Sequence, residues 1–568
     1  MNGRFFFVTM WAACAVASAS AGGDLTGTWG QAGGPNSNFQ LTTDDPVPTA
    51  WSVSRGENIR WRTPLPNVGQ SGIAVWGDRL FLTTFAPGEG VDGAGKKNFS
   101  AEIVGLCVDV ADGAILWSVP IGGLVPGPMM YTYSDPTSPT PVTDGETVVF
   151  TNASGCIAAF DFEGNELWRK TWRPWGPAEH FPFNKMHEPI LYDGTVINLE
   201  PPDDPGEEKF GWNYLRGRDL KTGETVWTAE HGSTSYVTSM FGFTPAGEPA
   251  LMTGRGAVHD HPERPAGLNL VSLARGEAGK SEWLFLTPTD KFGKPAEPGT
   301  VVGRTWPAMY DCVWDDRYAY WFNLQPVESA VLLDIETGEL AKKLSLIEDV
   351  DLRRWDPEQG RHRLLAGIHL RETPDWPDYL KVKGRRPPSI VVNPSPHSNV
   401  AAGGYYYFLC TTGNKRNRPP GVNGLAGPSH CVGRVDVETG KVEYFELPVT
   451  VVRERGEADR FVYGELVAVE TRNAAGLDVS TESRTKEDGW KAPAYWGTPV
   501  VLNGNIYWTT TLGITYVIDA DAAVLDPSAV VAINDLGPSG ETWTLNSISY
   551  SDGVIYHRTS KELIAIGD

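Results

Sequence analysis

The stretch Ser138–Trp168, SPTPVTDGETVVFTNASGCIAAFDFEGNELW, constrains the fold of this chain more than any other. It holds four short apolar segments separated by turn chemistry at Asp144-Gly145, Ser154-Gly155 and Glu163-Gly164-Asn165. Short β-rich runs joined by such turns read as successive hairpins, so the stretch predicts an antiparallel four-stranded meander. One such sheet cannot bury both of its faces. It needs neighbours built in the same way.

The rest of the chain supplies them. A first copy runs Ser71–Phe85 and Leu106–Trp117, and a third runs His187–Glu200 and Leu215–Trp227. A degenerate fourth begins at Met240 and ends near Leu286. The fifth covers Met309–Asn323 and Val331–Leu340, the sixth His397–Cys410 and Cys431–Leu447. The seventh covers Gly497–Thr511 and Ile514–Asp521, the eighth Asn546–Ser560 and Glu562–Gly567. Turn glycines Gly145 and Gly194 are 49 residues apart, as are Gly504 and Gly553, so the period is real. The eighth copy lacks its outer strand, and Gly56–Leu65, carrying Trp61, offers one. Pairing it into the last sheet would close a ring and remove both exposed edges. The fold expected is therefore all-β: an eight-bladed β-propeller of four-stranded antiparallel blades, closed by an N-terminal strand. Trp61, Trp117, Trp168, Trp227 and Trp283 fall at one equivalent outer-strand position, where rings of this size would pack blade on blade.

The segments of the form D-x-x-T-G-x-x-x-W (DLKTGETVW), with GITYVIDA and the N-terminal TWGQAGGPN, resemble pyrroloquinoline-quinone-type propeller repeats. That superfamily includes quinoprotein alcohol dehydrogenases and the propeller lipoprotein of the outer-membrane β-barrel assembly machinery. The resemblance extends over nearly all of the chain after the first 21 residues and bears on fold more than function. Gly33 stands where the commoner form of the N-terminal motif carries Arg. Quinone-dependent members carry a vicinal cysteine pair and a Glu/Asn/Asp set around calcium. Here Cys107, Cys156, Cys312, Cys410 and Cys431 are not adjacent, and no calcium set matches residue by residue, so the expectation is no quinone cofactor and no metal.

Residues 1–21 read as a secretory signal: Arg4, the apolar run FFFVTMWAACAV, and an Ala19-Ser20-Ala21 cleavage site. Cys14 only loosely fits a lipoprotein box. Residues 22–568 are then one propeller domain, exported to the periplasm or secreted, with insertions at 345–390 and 448–491. The first insertion reads as a short helix or hairpin and the second as a hairpin. No later apolar run approaches the roughly 20 residues of a membrane-spanning helix. A formal charge of −22 argues against nucleic-acid partners, whose phosphates it would repel. A monomer is expected.

Candidate ligand-binding residues lie at the starts of inner strands and in the long loops. Counting back from each turn gives one inner-strand site, occupied by Ser71, Ser138, His187, Met309, His397, Gly497 and Asn546. His187 and His397 stand out there, as titratable rings where packing would choose small residues. Glu188, Arg255, Trp306, Asp311, Trp496 and Asn546 complete the set, a mixture of aromatic and polar groups suited to a sugar or an anion. His259-Asp260-His261 invites a zinc reading but shows no third ligand. Cys410 ends one strand of the sixth copy and Cys431 begins the next, so a hairpin would set them opposite each other, as a disulfide or as two buried thiols. Three function classes follow: a non-catalytic propeller binding a protein partner or a glycan, a funnel-face polysaccharide lyase or hydrolase, and a quinone-dependent dehydrogenase.

Overall fold

The computed structural model describes residues 28–87, 98–129, 134–174, 187–203, 212–234, 236–256, 263, 265–287, 311–323, 329–370, 392–412, 429–463, 471–479, 497–538 and 540–567. Its sheets succeed one another along the chain as eight blades, each lettered here by number from the first repeat. In blade two the strands Val142–Thr143, Thr147–Asn152, Cys156–Asp161 and Glu166–Thr171 lie side by side in sequence order, broken where the turns predict. Gly145 and Gly155 adopt positive φ at these breaks, a backbone region that costs glycine nothing. The ring closes as the repeat pattern requires. Ile59–Pro64 pairs antiparallel with Glu562–Ile566, placing Trp61 opposite Ala565 in blade eight.

Apolar packing lies between blades rather than around one centre. Phe81, Ile103 and Cys107 of blade one meet Val148, Phe150 and Cys156 of blade two in one cluster. The same arrangement joins blades four and five, where Leu270 and Trp283 meet Trp321 and Leu333. The repeat motif explains how the blades register. Four of the five outer-strand tryptophans donate the indole N–H to a carbonyl of the next blade: Trp61 to Val110 at 2.9 Å, Trp117 to Phe162 at 2.9 Å, Trp168 to Leu220 at 2.8 Å and Trp283 to Ile335 at 2.7 Å. The ring then rests on the turn glycine of that blade, in an Asp-x-x-x-Gly turn in blades one, three and five and an Asp-x-x-Gly turn in blade two. A Cβ on Gly113 would fall 2.6 Å from the Trp61 ring, and one on Gly223 would fall 2.6 Å from the Trp168 ring. Glycine is required there by the neighbour's ring as much as by its own φ.

Two additions depart from the four-stranded plan. In blade six, Val350–Asp356 pairs in parallel with the outer strand Val442–Leu447, and Arg361–Ile368 follows it, making six strands. The described part of the first insertion is thus a hairpin rather than a helix. The second insertion forms a small hairpin, Thr450–Val452 with Arg460–Val462. Trp355 and Tyr463 stack at 4.2 Å, so the two insertions pack on each other. Arg453 pins the second one down with bonds to Asp535 at 2.9 Å and to Asp459 at 3.0 Å.

Candidate functional site

The N-terminal segment before the closing strand runs across one face of the ring and bonds to blade after blade. Trp29 exchanges backbone bonds with Val75 of blade one at 3.0 and 2.8 Å, and Thr143 of blade two donates to the Gly30 carbonyl at 2.8 Å. Leu191 of blade three donates to the Gln31 side chain at 2.8 Å, and Phe241 of blade four to the Ser37 carbonyl at 3.2 Å. Gln40 reaches the Ala401 carbonyl of blade six at 3.2 Å, and Gln40–Leu41 pairs in parallel with Val501–Leu502 of blade seven. Tyr550 of blade eight bonds to the Pro46 carbonyl at 3.4 Å. Val313 of blade five shares a hydrophobic cluster with Trp29 and Phe39. The segment is a floor to the central channel. Its tight turn accounts for Gly33: the Gly33 carbonyl accepts from Asn38 and Phe39, and a Cβ would stand 2.6 Å from the Ser37 backbone.

Above this floor, polar contacts link the starts of the inner strands. Asn546 donates to the Gln70 carbonyl at 2.6 Å, and Gly72 to the Thr140 hydroxyl at 3.0 Å. Thr140 N–H donates to Glu188 Oε2 at 2.6 Å, and His187 Nε2 meets Ser239 Oγ at 3.1 Å. Thr498 donates to Asp311 Oδ2 at 2.8 Å, and Ser547 to the Thr498 carbonyl at 2.7 Å. Between ring and floor lies a cavity open to solvent, with about 80 Å³ of space for the centres of water molecules. Ala32 and Phe39 form its base, and Gln70, Ser138, Thr140, Glu188, Thr498 and Asn546 contribute to its wall. Among the described residues, no lysine or arginine lines it.

Two titratable groups here are displaced in opposite directions. Burial, reinforced by the negative charge of Asp311, pushes the Glu188 carboxyl up to about 7, against the opposing bond from Thr140. Burial alone pulls the His187 imidazole down to about 4. His187 is therefore neutral at pH 7 and not the near-neutral titrating ring that its position in the sequence suggests. Its Nδ1 has no partner among the described residues.

The sequence-derived candidates divide three ways. Glu188 and Asn546 line the cavity, while Asp311 and His187 are buried in the polar ring beside it. Arg255 is placed elsewhere: it is buried, donates to the Pro265 carbonyl at 2.9 Å and stacks over Trp212. His397 falls in the inner strand Val392–Ala402 of blade six, its side chain lying outside the described residues, as do Trp306, Trp496, His259, Asp260 and His261. Gln70, Thr140 and Thr498 are wall residues that sequence reading passed over. Each sits within three residues of a counted inner-strand position, which was the available signal. Among the described residues, no group of three or more His, Cys, Asp or Glu side chains is arranged to hold a metal.

Residues 9–240 and 100–278 match the profile of a family described as outer membrane protein assembly factor BamB. That match spans just under half of the chain, which is in this sense similar to pyrroloquinoline-quinone-type repeat propellers. Among solved structures, this propeller resembles a europium-containing methanol dehydrogenase at 13% identity, covering 95% of this chain and 89% of that one, with a TM-score of 0.45. It resembles quinohemoprotein alcohol dehydrogenase from Comamonas testosteroni at 12% identity, with 95% and 80% covered and a TM-score of 0.46. It also resembles BamB from Moraxella catarrhalis at 11% identity, with 93% and 95% covered and a TM-score of 0.34. These likenesses concern the propeller fold alone. No curated protein matches the chain.

Proposed function

We propose that this propeller is a non-catalytic binding protein of the extracytoplasmic space that seats the end of a neutral glycan in its central cavity. The observation carrying this reading is the cavity itself: closed below by the chain's own N-terminal segment and walled by the amides and hydroxyls of Gln70, Ser138, Thr140, Thr498 and Asn546. Such groups exchange hydrogen bonds with sugar hydroxyls without the desolvation cost of a charged lining. Glu188, protonated through much of the neutral range, adds a donor rather than a fixed charge. The secretory-type residues 1–21 support the location, and no described helix is long and apolar enough to cross a membrane.

A hydrolase of the common kind would need a pair of carboxylates facing the cavity, and among the described residues its lining holds Glu188 alone. His187 serves poorly as a base, since it is buried, neutral and already bonded to Ser239. We propose equally that the propeller carries no pyrroloquinoline quinone. That cofactor is a polycarboxylate and requires cationic partners. The described lining provides none, and the negative charge of Asp311 lies close beside it.

Isothermal titration of the purified chain against neutral and anionic oligosaccharides tests the proposal. Binding of a neutral saccharide, weakened at least tenfold by Asn546→Leu with the melting temperature held, is the expected result. Release of shortened products, or heats only with anionic ligands, would overturn it.

A further inference from the structure

Cys410 and Cys431 are directly opposed in the two middle strands of blade six, Tyr405–Thr412 and Ser429–Asp436, and stand there as two buried free thiols. Their neighbours in the register are Leu409 with Val432 and Thr411 with His430, so no bulge displaces them. The packing fixes which way they point. Tyr406, Phe408 and Cys410 on one strand, and Cys431 and Val435 on the other, belong to one hydrophobic cluster. Tyr407, Leu409 and Val432 belong to the cluster on the other side of the sheet. Side chains alternate along a strand, so both thiols leave the sheet on the same face. Directly opposed residues of an antiparallel pair have Cα atoms about 4.5–5.5 Å apart, inside the range a disulfide spans. The remaining described cysteines have no such partner: Cys107 lies opposite Phe81 and Trp117, and Cys156 opposite Asn152 and Thr171.

We propose that this free pair is oxidised to a disulfide bond as the protein folds under oxidising conditions, giving a covalent staple between the middle strands of blade six. The bond forms by two exchanges with a small-molecule or enzymatic disulfide oxidant. One cysteine thiolate attacks the oxidant's sulfur and releases one thiol; the second thiolate then attacks the mixed disulfide and releases the other. Two protons leave the cysteines, and their two electrons reduce the oxidant to a dithiol or thiol pair. Both residues are wholly buried in the finished blade, and burial, with Cys431 adding to it, holds the Cys410 thiol well above its ordinary range. Thiolate attack from the closed blade is correspondingly slow, which places the exchange during folding, before the blade is covered.

The test is peptide mapping of the full chain, alkylated at harvest and digested without reductant. One sample is produced with its leader in a bacterial host; a second is synthesised cell-free in a glutathione redox buffer. A linked pair of peptides containing Cys410 and Cys431 in both samples, with Cys107, Cys156 and Cys312 alkylated, is expected. Linkage in the cell-free sample alone would uphold the bond while counting against export. Alkylated Cys410 and Cys431 in both samples would overturn the proposal. As an independent readout, dithiothreitol should lower the melting temperature of the wild type and leave the Cys410→Ser/Cys431→Ser variant unmoved; an equal response of the two also overturns it.

Discussion

Lys342 Nζ donates to the Val437 carbonyl at 2.8 Å, making in blade five the bond that Trp61, Trp117, Trp168 and Trp283 make at four other junctions of the ring. It stands eight residues after Asp334, as Trp227 stands eight after Asp219, and Val437 follows Asp436 as Ile335 follows Asp334. The blade-to-blade donor is thus kept where the indole is not. What the lysine does not supply is the buried ring.

The two positions should separate the polar and apolar parts of the junction. Trp168 is 8% exposed, and Trp168→Ala should cost about 3–5 kcal/mol, the range for truncating a buried aromatic. Lys342→Met keeps the stem and loses the donor together with the cation over the Tyr318 ring, for about 1–2 kcal/mol. Chemical denaturation of both variants checks this. Equal losses would mean that the hydrogen bond, not the ring, sets the junction.

Gly223 and Gly194 allow a matched comparison within blade three, with φ of +70° and +69°. Alanine at either position meets the same backbone strain, of order 1–2 kcal/mol. At Gly194 nothing lies within 4 Å of the new Cβ, whereas at Gly223 it would press on the Trp168 ring at 2.6 Å. Gly223→Ala should therefore be the more destabilising by about 1–3 kcal/mol, read from denaturation midpoints. Indistinguishable midpoints would remove the glycine–indole contact from the account of blade registry.

The ring was legible in the sequence because its determinants repeat. Turn glycines, outer-strand tryptophans and the displaced strand around Trp61 recur at one period, and eight imperfect copies outweigh the failure of any single one. The floor was not legible. Residues such as Gly30 and Ser37 engage the blades through backbone atoms, which leave no trace in side-chain identity. The motif TWGQAGGPN marked a family resemblance without showing what the segment does. The wall was partly legible, since Glu188 and Asn546 fall at inner-strand starts. Thr498 and Asp311, bonded although 187 residues apart, become partners only once the ring closes on itself.

The floor makes its own prediction. Gly33→Arg installs the residue common in similar repeats at a turn where even a Cβ would contact the Ser37 backbone at 2.6 Å. The turn should open, freeing the bonds from Asn38 and Phe39 to the Gly33 carbonyl. The expected cost is about 2–4 kcal/mol, with new proteolytic cleavage between residues 28 and 54 before the blades unfold. Wild-type melting and an uncut N-terminal segment would contradict the geometry of this turn.

Glu188 sets the final expectation, which concerns pH. Its folded-state carboxyl titrates at about 7, against an ordinary value of 4.5, so the folded protein holds this proton more tightly than the unfolded chain does. The stability that goes with the proton is fully present below pH 4.5 and is lost as the pH rises through 7. The loss is at most about 3 kcal/mol, and less to the extent that cavity water reaches the carboxylate. His187 acts in the opposite sense: lowered from 6.5 to about 4, it contributes stability above pH 6.5 that disappears as the pH falls through 4. Glu188→Gln keeps the shape and an acceptor for the Thr140 N–H while removing the charge. The variant and the wild type should match at pH 4, where both side chains are neutral and His187 affects them alike. At pH 8 the variant should be the more stable by about 1–3 kcal/mol, as measured by denaturant unfolding across the range. A wild type that gains on the variant as the pH rises would mean that the ionised carboxylate is stabilised at the channel, and with it that the cavity presents negative charge to its ligand.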